Sequence, residues 1–232
     1  MAIERPRTLH GRRRGRRLRP GRQRLLDELL PRLAIDPARG PVDPAGLFDM
    51  ACDDVWLEVG FGGGEHLTAQ ARAHPEIGFI GCESFVNGIA KALSLIDAEK
   101  LTNVRILADD ARPLIDALPE SSIGRFFLLF PDPWPKKRHH ARRFVSPENL
   151  DAMARILRDG AELRMASDDM EYIRWMLFHT IGHGAFEWLA RGPDDWRRRP
   201  DDWPATRYEE KAGRAGATCV FLRFRRRPRS AQ

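Results

Sequence analysis

The chain has 232 residues, 42% of them hydrophobic, which is enough to bury one full core in a single domain. A formal net charge of +6 and a pI near 9.7 point to an anionic partner. No apolar run is long enough to span a bilayer, no signal-peptide core is visible, and Cys52, Cys82 and Cys219 are too scattered for a disulfide framework or a metal site. A cytoplasmic protein with reduced thiols and no metal is therefore expected.

In chain order, residues 1–22 read as a basic arm. Arg5 to Arg24 is mostly arginine and glycine with almost no large apolar residue, so the arm is expected to be disordered. Residues 23–232 read as one domain. Gln23 to Leu33 has apolar residues at helical spacing, and 36–49 is a Pro- and Gly-rich linker. Strands are predicted at 55–59, 78–82, 104–108, 125–130, 161–166 and 218–224. Helices are predicted at 65–73, 85–97, 113–118, 147–158 and 170–182, with Ser146 as an N-cap. Residues 193–204 alternate Asp, Trp, Arg and Pro and read as a long loop. Within and before it, Trp188, Trp196 and Trp203 are expected to pack rather than to stack on bases. Alternation of strand and helix implies a mostly parallel sheet covered on both faces.

The segment Phe130-Pro131-Asp132-Pro133-Trp134-Pro135-Lys136-Lys137-Arg138 carries the most information. It ends a buried apolar strand in three prolines, which forbid both further pairing and an immediate helix. A stiff loop at the carboxyl end of a central strand is where open α/β sheets bind ligands. One carboxylate, one flat ring and several cations suit a polyanion with π-faces, that is, nucleic acid.

The first predicted strand runs into Gly60-Phe61-Gly62-Gly63-Gly64-Glu65. A turn through glycines lets a ligand approach the backbone. The spacing is G-x-G-x-G through Gly60, Gly62 and Gly64, and the third glycine of the dinucleotide pattern falls on Glu65. Carboxylates at Glu58 and Glu65 suit a cofactor bearing positive charge, which favours S-adenosylmethionine over NAD. Glu83 closes the next strand, where a ribose-binding acid is expected. Asp109 and Asp110 close the third and suit an adenine amine.

With these residues in place, the chain resembles the bacterial tRNA (guanine-N(7)-)-methyltransferases. The resemblance rests on Leu57 to Gly62, Phe130 to Arg138, Ala166-Ser167-Asp168, Thr206 to Lys211, and the arm and helix around Arg12 to Asp36. It implies a Rossmann-like class I methyltransferase fold, a mostly parallel seven-stranded sheet with helices on both faces. It also implies S-adenosylmethionine as donor and N7 of a guanine in the tRNA variable loop as acceptor; the sequence points to tRNA as partner and to no obligatory protein partner. By motif position, Glu58, Gly60, Gly62, Gly64, Glu83, Asp110 and Asp132 would line the donor site, with Asp132 catalytic. Lys136, Asp168, Thr206, Arg207, Tyr208 and Glu209 would contact the substrate.

Guanine N7 carries a lone pair and no proton, so positioning should supply most of the acceleration. Asp168 and Glu209 are candidates for reading the guanine N1–H and exocyclic amine. Asp132 would orient the donor or the base. Trp134 would stack on a base or wedge the loop. Lys136, Lys137, Arg138, Arg142 and Arg143 are expected on phosphates, and Arg223 to Arg229 likewise. The alternatives are another RNA or DNA base methyltransferase, or a non-catalytic RNA-binding protein on the same scaffold. The first is disfavoured by the order Pro131-Asp132-Pro133-Trp134, the second by an intact set of donor-site acids and glycines.

Overall fold

The computed structural model describes residues 9–214 and 216–229. The first half carries helices α1 (Pro20–Glu28), α2 (Leu30–Leu33), α3 (Glu65–Ala73), α4 (Val86–Glu99) and α5 (Ala111–Ala117), alternating with strands β1 (Asp54–Val59), β2 (Ile77–Cys82), β3 (Val104–Leu107) and β4 (Ile123–Leu129). The second half carries α6 (Pro147–Ile156), β5 (Leu157–Ser167), α7 (Met170–Gly182), β6 (Phe186–Trp188), α8 (Asp194–Arg197), α9 (Arg207–Arg214) and β7 (Val220–Arg226). The strands form one sheet in the order β3-β2-β1-β4-β5-β7-β6. Strands β1 to β5 run parallel to one another, and β7 runs antiparallel between β5 and β6. The order reverses between β1 and β4, which opens a crevice at their carboxyl ends.

Burial on both faces explains why the central strands are continuous apolar runs. In β1, Val55, Leu57 and Val59 face one core and Trp56 the other; in β4, Phe126 and Leu128 oppose Phe127 and Leu129. The first core is filled by α5, α6 and α7 through residues such as Leu114, Met153 and Met176, the second by α3 and α4 through Leu67, Ile89 and Leu93.

Several boundaries differ from expectation for local reasons. The N-terminal helix starts at Pro20, which suits a first-turn proline, and breaks at Leu29 because Pro31 cannot donate to the helix. The linker holds two 3-10 turns, Pro37–Arg39 and Ala45–Leu47. Strand β5 begins at Leu157, ahead of the expected Ala161, through a register shift against β4 and a left-handed Gly160. Strand β6 was not foreseen, being three residues on a sheet edge. Nor was α9, although Thr206 followed by Glu209 has the spacing of a helix start, and the Glu209 N–H does donate to the Thr206 hydroxyl at 3.2 Å.

The basic arm also departs from a disordered expectation where it is described; residues 1–8 lie outside the described residues. Arg13 accepts from Val86 N–H through its carbonyl at 2.9 Å, and Gly15 N–H donates to Asn87 Oδ1 at 2.7 Å. The Arg13 guanidinium reaches Asp109 at 3.0 Å, and α1 then packs on α4. The Val86 N–H and the Asn87 side chain at the start of α4 thus give an otherwise coreless segment its hydrogen bonds.

Candidate active site

The turn between β1 and α3 lies at the crevice. Gly60, Gly62 and Gly64 all have positive φ, +76°, +56° and +80°, a region costly for any residue with a Cβ. Helix α4 approaches this turn at backbone distance: a Cβ on Gly88 would sit 2.2 Å from the Gly62 carbonyl oxygen. A Cβ on Gly60 would meet no described atom within 4 Å, so that side of the turn is open.

The acids around the turn are held, each differently. Glu58 is buried and its carboxylate lies 2.8 Å from His66 Nδ1, whose ring packs edge-on against Phe127. It supports the turn from inside the core instead of facing the crevice. Glu83 accepts from Gly62 N–H, Ser84 N–H and Phe85 N–H, all at 2.8 Å. Burial pushes its carboxyl above the usual value, those three donors pull it back, and the Asp132 charge adds to the rise. Asp110 caps α5 and pairs with the Arg112 guanidinium at 2.5–3.0 Å.

Asp132 is different. It is exposed, and among the described residues no hydrogen bond or ion pair holds its carboxylate. Its position is set by backbone: Phe130 and Trp134, on either side, have φ of +51° and +45°, which is strained for residues with side chains. Phe130 N–H is anchored to the Ala166 carbonyl at 2.8 Å. Trp134 is wedged between the His10 ring of the arm, His139 and the Arg142 guanidinium, 5.0 Å above its ring. The arm therefore crosses the mouth of the crevice from Trp134 to Asn87.

The expected phosphate contacts divide. Lys136, Lys137 and Arg138 are exposed on the 3-10 turn that follows Asp132. Arg143 is not among them, because its side chain is fully buried. Part of the basic end of β7 is also structural: Arg223 pairs with Glu162, Arg226 is buried against the Ala154 carbonyl, and Arg229 pairs with Asp159 and Glu120, while Arg225 and Arg227 are exposed. Their sequence signal, a run of arginines, does not separate a solvated face from one paired to carboxylates.

On the other side of the crevice, Asp168 ends β5 and is exposed, while its neighbour Asp169 takes the structural duty of capping α7. Thr206 is buried and its hydroxyl caps α9, so this side chain serves the helix start. Glu209 accepts from Arg199 Nε at 3.0 Å through one oxygen, and its other oxygen is buried with no described partner. Arg207 is exposed and its charge acts on Glu65, next to the glycine turn; the Tyr208 side chain lies outside the described residues. Cys219 links the two acids: burial raises its thiol to about 11, and the charges of Glu209 and Asp168 add to the rise. Glu209, Arg199, Cys219 and Phe221 line a cavity of about 390 Å³.

A network missed at sequence level ties this side to the sheet. Arg164, buried on β5, lies 2.8 Å from Asp202 and 5.5 Å from the Trp203 ring. The Asp202 carbonyl accepts from Gln70 Nε2 at 2.7 Å, and Arg199 bridges the Trp203 carbonyl to Glu209. Loop 193–204 is therefore ordered by polar partners on β5, α3 and α9, and Trp203 packs as expected. Alternating Asp, Trp and Arg was the available signal, but its partners lie far away in sequence.

Comparison with known proteins agrees with this geometry. A family model described as "Putative methyltransferase" matches residues 53–222. The tRNA (guanine-N(7)-)-methyltransferase of Rhodospirillum rubrum is 55% identical, covering 96% of this chain and 89% of that protein. That of Paramagnetospirillum magneticum is 52% identical, covering 98% and 96%. The chain belongs to the tRNA (guanine-N(7)-)-methyltransferase family. Among solved structures, the 16S rRNA methyltransferase KamB aligns with a TM-score of 0.53 at 19% identity, covering 76% of this chain and 89% of that one. A SAM-dependent O-methyltransferase from Thermotoga maritima aligns at 0.52 and 16%, covering 81% and 64%. These likenesses establish the fold, a class I methyltransferase sheet. They do not bear on substrate, since the [4+2]-cyclase SpnF aligns equally well at 0.52 and 14%, covering 78% of each chain.

Proposed function

We propose that this protein transfers a methyl group from S-adenosylmethionine to N7 of a guanine in the variable loop of tRNA. The observation that carries the reading is a left-handed glycine turn at the carboxyl end of β1, open at Gly60, in the same sheet whose β5 ends at the exposed Asp168, with Glu209 on α9 lining a cavity beside Cys219.

The residues present fit the donor. Gly60, Gly62 and Gly64 allow the left-handed turn and Gly60 leaves room at the backbone, while Glu83 follows β2 at the ribose position and Asp110 follows β3 at the adenine position. Glu58 supports the turn through His66. S-adenosylmethionine, when bound, supplies an electrophilic methyl group on a sulfonium. The chain's part is to hold that cation among fixed carboxylates and to exclude competing water. Asp132, without a partner among the described residues and held by its backbone, would orient the reacting groups and stabilise the positive charge that the guanine ring gains. Asp168 and the free oxygen of Glu209 would accept from the guanine N1–H and amine, an edge that adenine does not offer. Thr206 and Arg207 hold and flank α9, which carries Glu209 and Tyr208. Lys136, Lys137, Arg138 and Arg142 would meet phosphates, which supply affinity but no base identity.

Labelled donor, unmodified tRNA and purified protein test this directly. Label should appear at a guanine N7 of the variable loop, and a tRNA with that guanine replaced by adenine should accept none. Label on the adenine, or on an exocyclic amine, would overturn the reading. As to the surroundings, no helix among the described residues is long and apolar enough to cross a membrane. We place the reaction in the cytoplasm, where tRNA is found.

A further inference from the structure

Arg143 follows the basic turn, yet its side chain is 0% exposed. Its Nε donates to the Pro133 carbonyl at 2.8 Å and its second terminal nitrogen to Glu171 Oε1 at 3.0 Å. The guanidinium lies 5.1 Å from the Tyr172 ring and 4.9 Å from the Trp175 ring. Trp175 in turn donates from Nε1 to the Val145 carbonyl at 2.7 Å, and His140 sits 3.3 Å from the same Glu171 oxygen. The first turns of α7 and the segment after the basic turn thus close on one atom of the residue next to Asp132.

This arrangement is poorly explained by stability alone. A guanidinium taken fully out of water is costly, its remaining terminal nitrogen is buried without a described partner, and its ion-pair partner Glu171 is half exposed. An apolar side chain would fill the same space with less penalty. What arginine adds is a directed hydrogen bond. Asp132 stands between two prolines, which have no N–H, so the Pro133 carbonyl is a backbone handle through which the loop can be held. The loop needs holding, because Phe130 and Trp134 are both in strained conformations.

We propose that Arg143 is a positioning residue for the methyl-transfer reaction: it clamps the Pro133 carbonyl against α7 and thereby fixes the direction of the Asp132 carboxylate, without touching tRNA phosphate. The inference rests on the reading of Asp132 as the acid that faces the reacting centre.

Arg143→Lys and Arg143→Met test it. With wild-type tRNA as substrate, kcat should fall about a hundredfold in Arg143→Met, the cost expected when a reacting group is displaced by about 1 Å. Arg143→Lys, which keeps one donor, should recover part of the loss. The tRNA dissociation constant and its salt dependence should match wild type in both. Labelling with 5-fluorotryptophan gives a readout of the loop itself, with the Trp134 line assigned by Trp134→Phe. That line should shift or broaden in Arg143→Met, while the Trp56 and Trp203 lines hold. Weakened tRNA binding with a salt slope reduced by about one and an unmoved Trp134 line would make Arg143 a phosphate contact and overturn the proposal. So would a kcat within about twofold of wild type, given that positioning losses are larger. If Arg143→Met does not fold, Glu171→Gln decides. It leaves the guanidinium in place and removes the charge that anchors it, so kcat should fall severalfold and the Trp134 line should move; the absence of both changes would overturn the clamp. Wild-type protein that methylated no tRNA would sink the functional reading instead, and the Trp134 line would still report on the clamp.

Discussion

The acids at the donor end of the crevice and those at the acceptor end are the same chemical groups in opposite states. Glu58, Glu83 and Asp110 spend their oxygens on His66, on three backbone N–H groups and on Arg112. Asp132 and Asp168 are exposed and held by no described side chain, and Glu209 keeps one oxygen unused. The first set shapes the backbone so that a ligand can approach it. The second keeps acceptor capacity for something that arrives. A carboxylate's sequence position at a strand end does not say which of the two it is; its partners do.

Asp132→Asn should break the comparison most sharply. Removing a charge that no described residue pairs should lower kcat by about a hundredfold to a thousandfold, the range seen for lost electrostatic stabilisation, with an unchanged melting temperature. A large fall in melting temperature would instead place Asp132 in the first set. Asp168→Asn comes next. It replaces an acceptor by a donor facing the guanine N–H groups, so turnover should drop about a hundredfold while tRNA and donor binding stay near normal. Methylation at the wild-type rate would assign Asp168 to structure.

Gly88→Ala tests the donor end through backbone alone. The new Cβ would meet the Gly62 carbonyl at 2.2 Å, which nothing flexible relieves. Donor affinity, read by calorimetry, should fall about tenfold, matching an overpacking cost of 1–2 kcal/mol; unchanged affinity would mean that the turn is not the donor cradle. Glu58→Gln should do the reverse of Asp132→Asn. It leaves His66 with a weaker partner in the core, so stability should fall by about 1–3 kcal/mol in denaturant titration, with kcat little affected once folded. A variant of normal stability and poor donor binding would move Glu58 to the crevice.

The smallest effect concerns pH. The Glu83 carboxyl is raised above 4.5 by burial, its three backbone donors and Asp132 notwithstanding and adding respectively. On acidification it therefore takes up a proton earlier than a free carboxyl, and a cationic donor loses an attractive charge. Affinity should decline severalfold as pH falls toward that raised value and be fully present well above it. For folding the sign is opposite: the fold binds this proton more tightly than the unfolded chain, so Glu83 favours the folded state more at low pH. Calorimetry of Glu83→Gln across the same range should give a flatter curve, and an equally steep one would remove Glu83 from the site.

Much of the architecture was legible because its causes are local. Continuous apolar runs mark strands buried on both faces, and prolines and glycines mark where they must stop. The G-x-G-x-G turn, the helix 65–73 and the helix 170–182 needed nothing beyond neighbouring residues, and the structure has α3 and α7 over those spans. The capping of α9 by Thr206 is equally local, since Thr206 and Glu209 have the spacing of a helix start.

What only the tertiary structure decided is which charges are free. Arg143 and Arg142 are adjacent and chemically identical, yet one is sealed against Pro133, Glu171 and Tyr172 while the other lies over Trp134. Arg223, Arg226 and Arg229 look like a phosphate-binding stripe until Glu162, Asp159 and Glu120 arrive from other elements. Arg164 and Asp202 meet across 38 residues of chain, and with Trp203 they order a loop that has no periodicity of its own. Hydrophobic periodicity and backbone restriction act between neighbours and are written in the sequence. The pairing of charges depends on distance in space and on the water left around them, and it exists only once the sheet has brought its strands together.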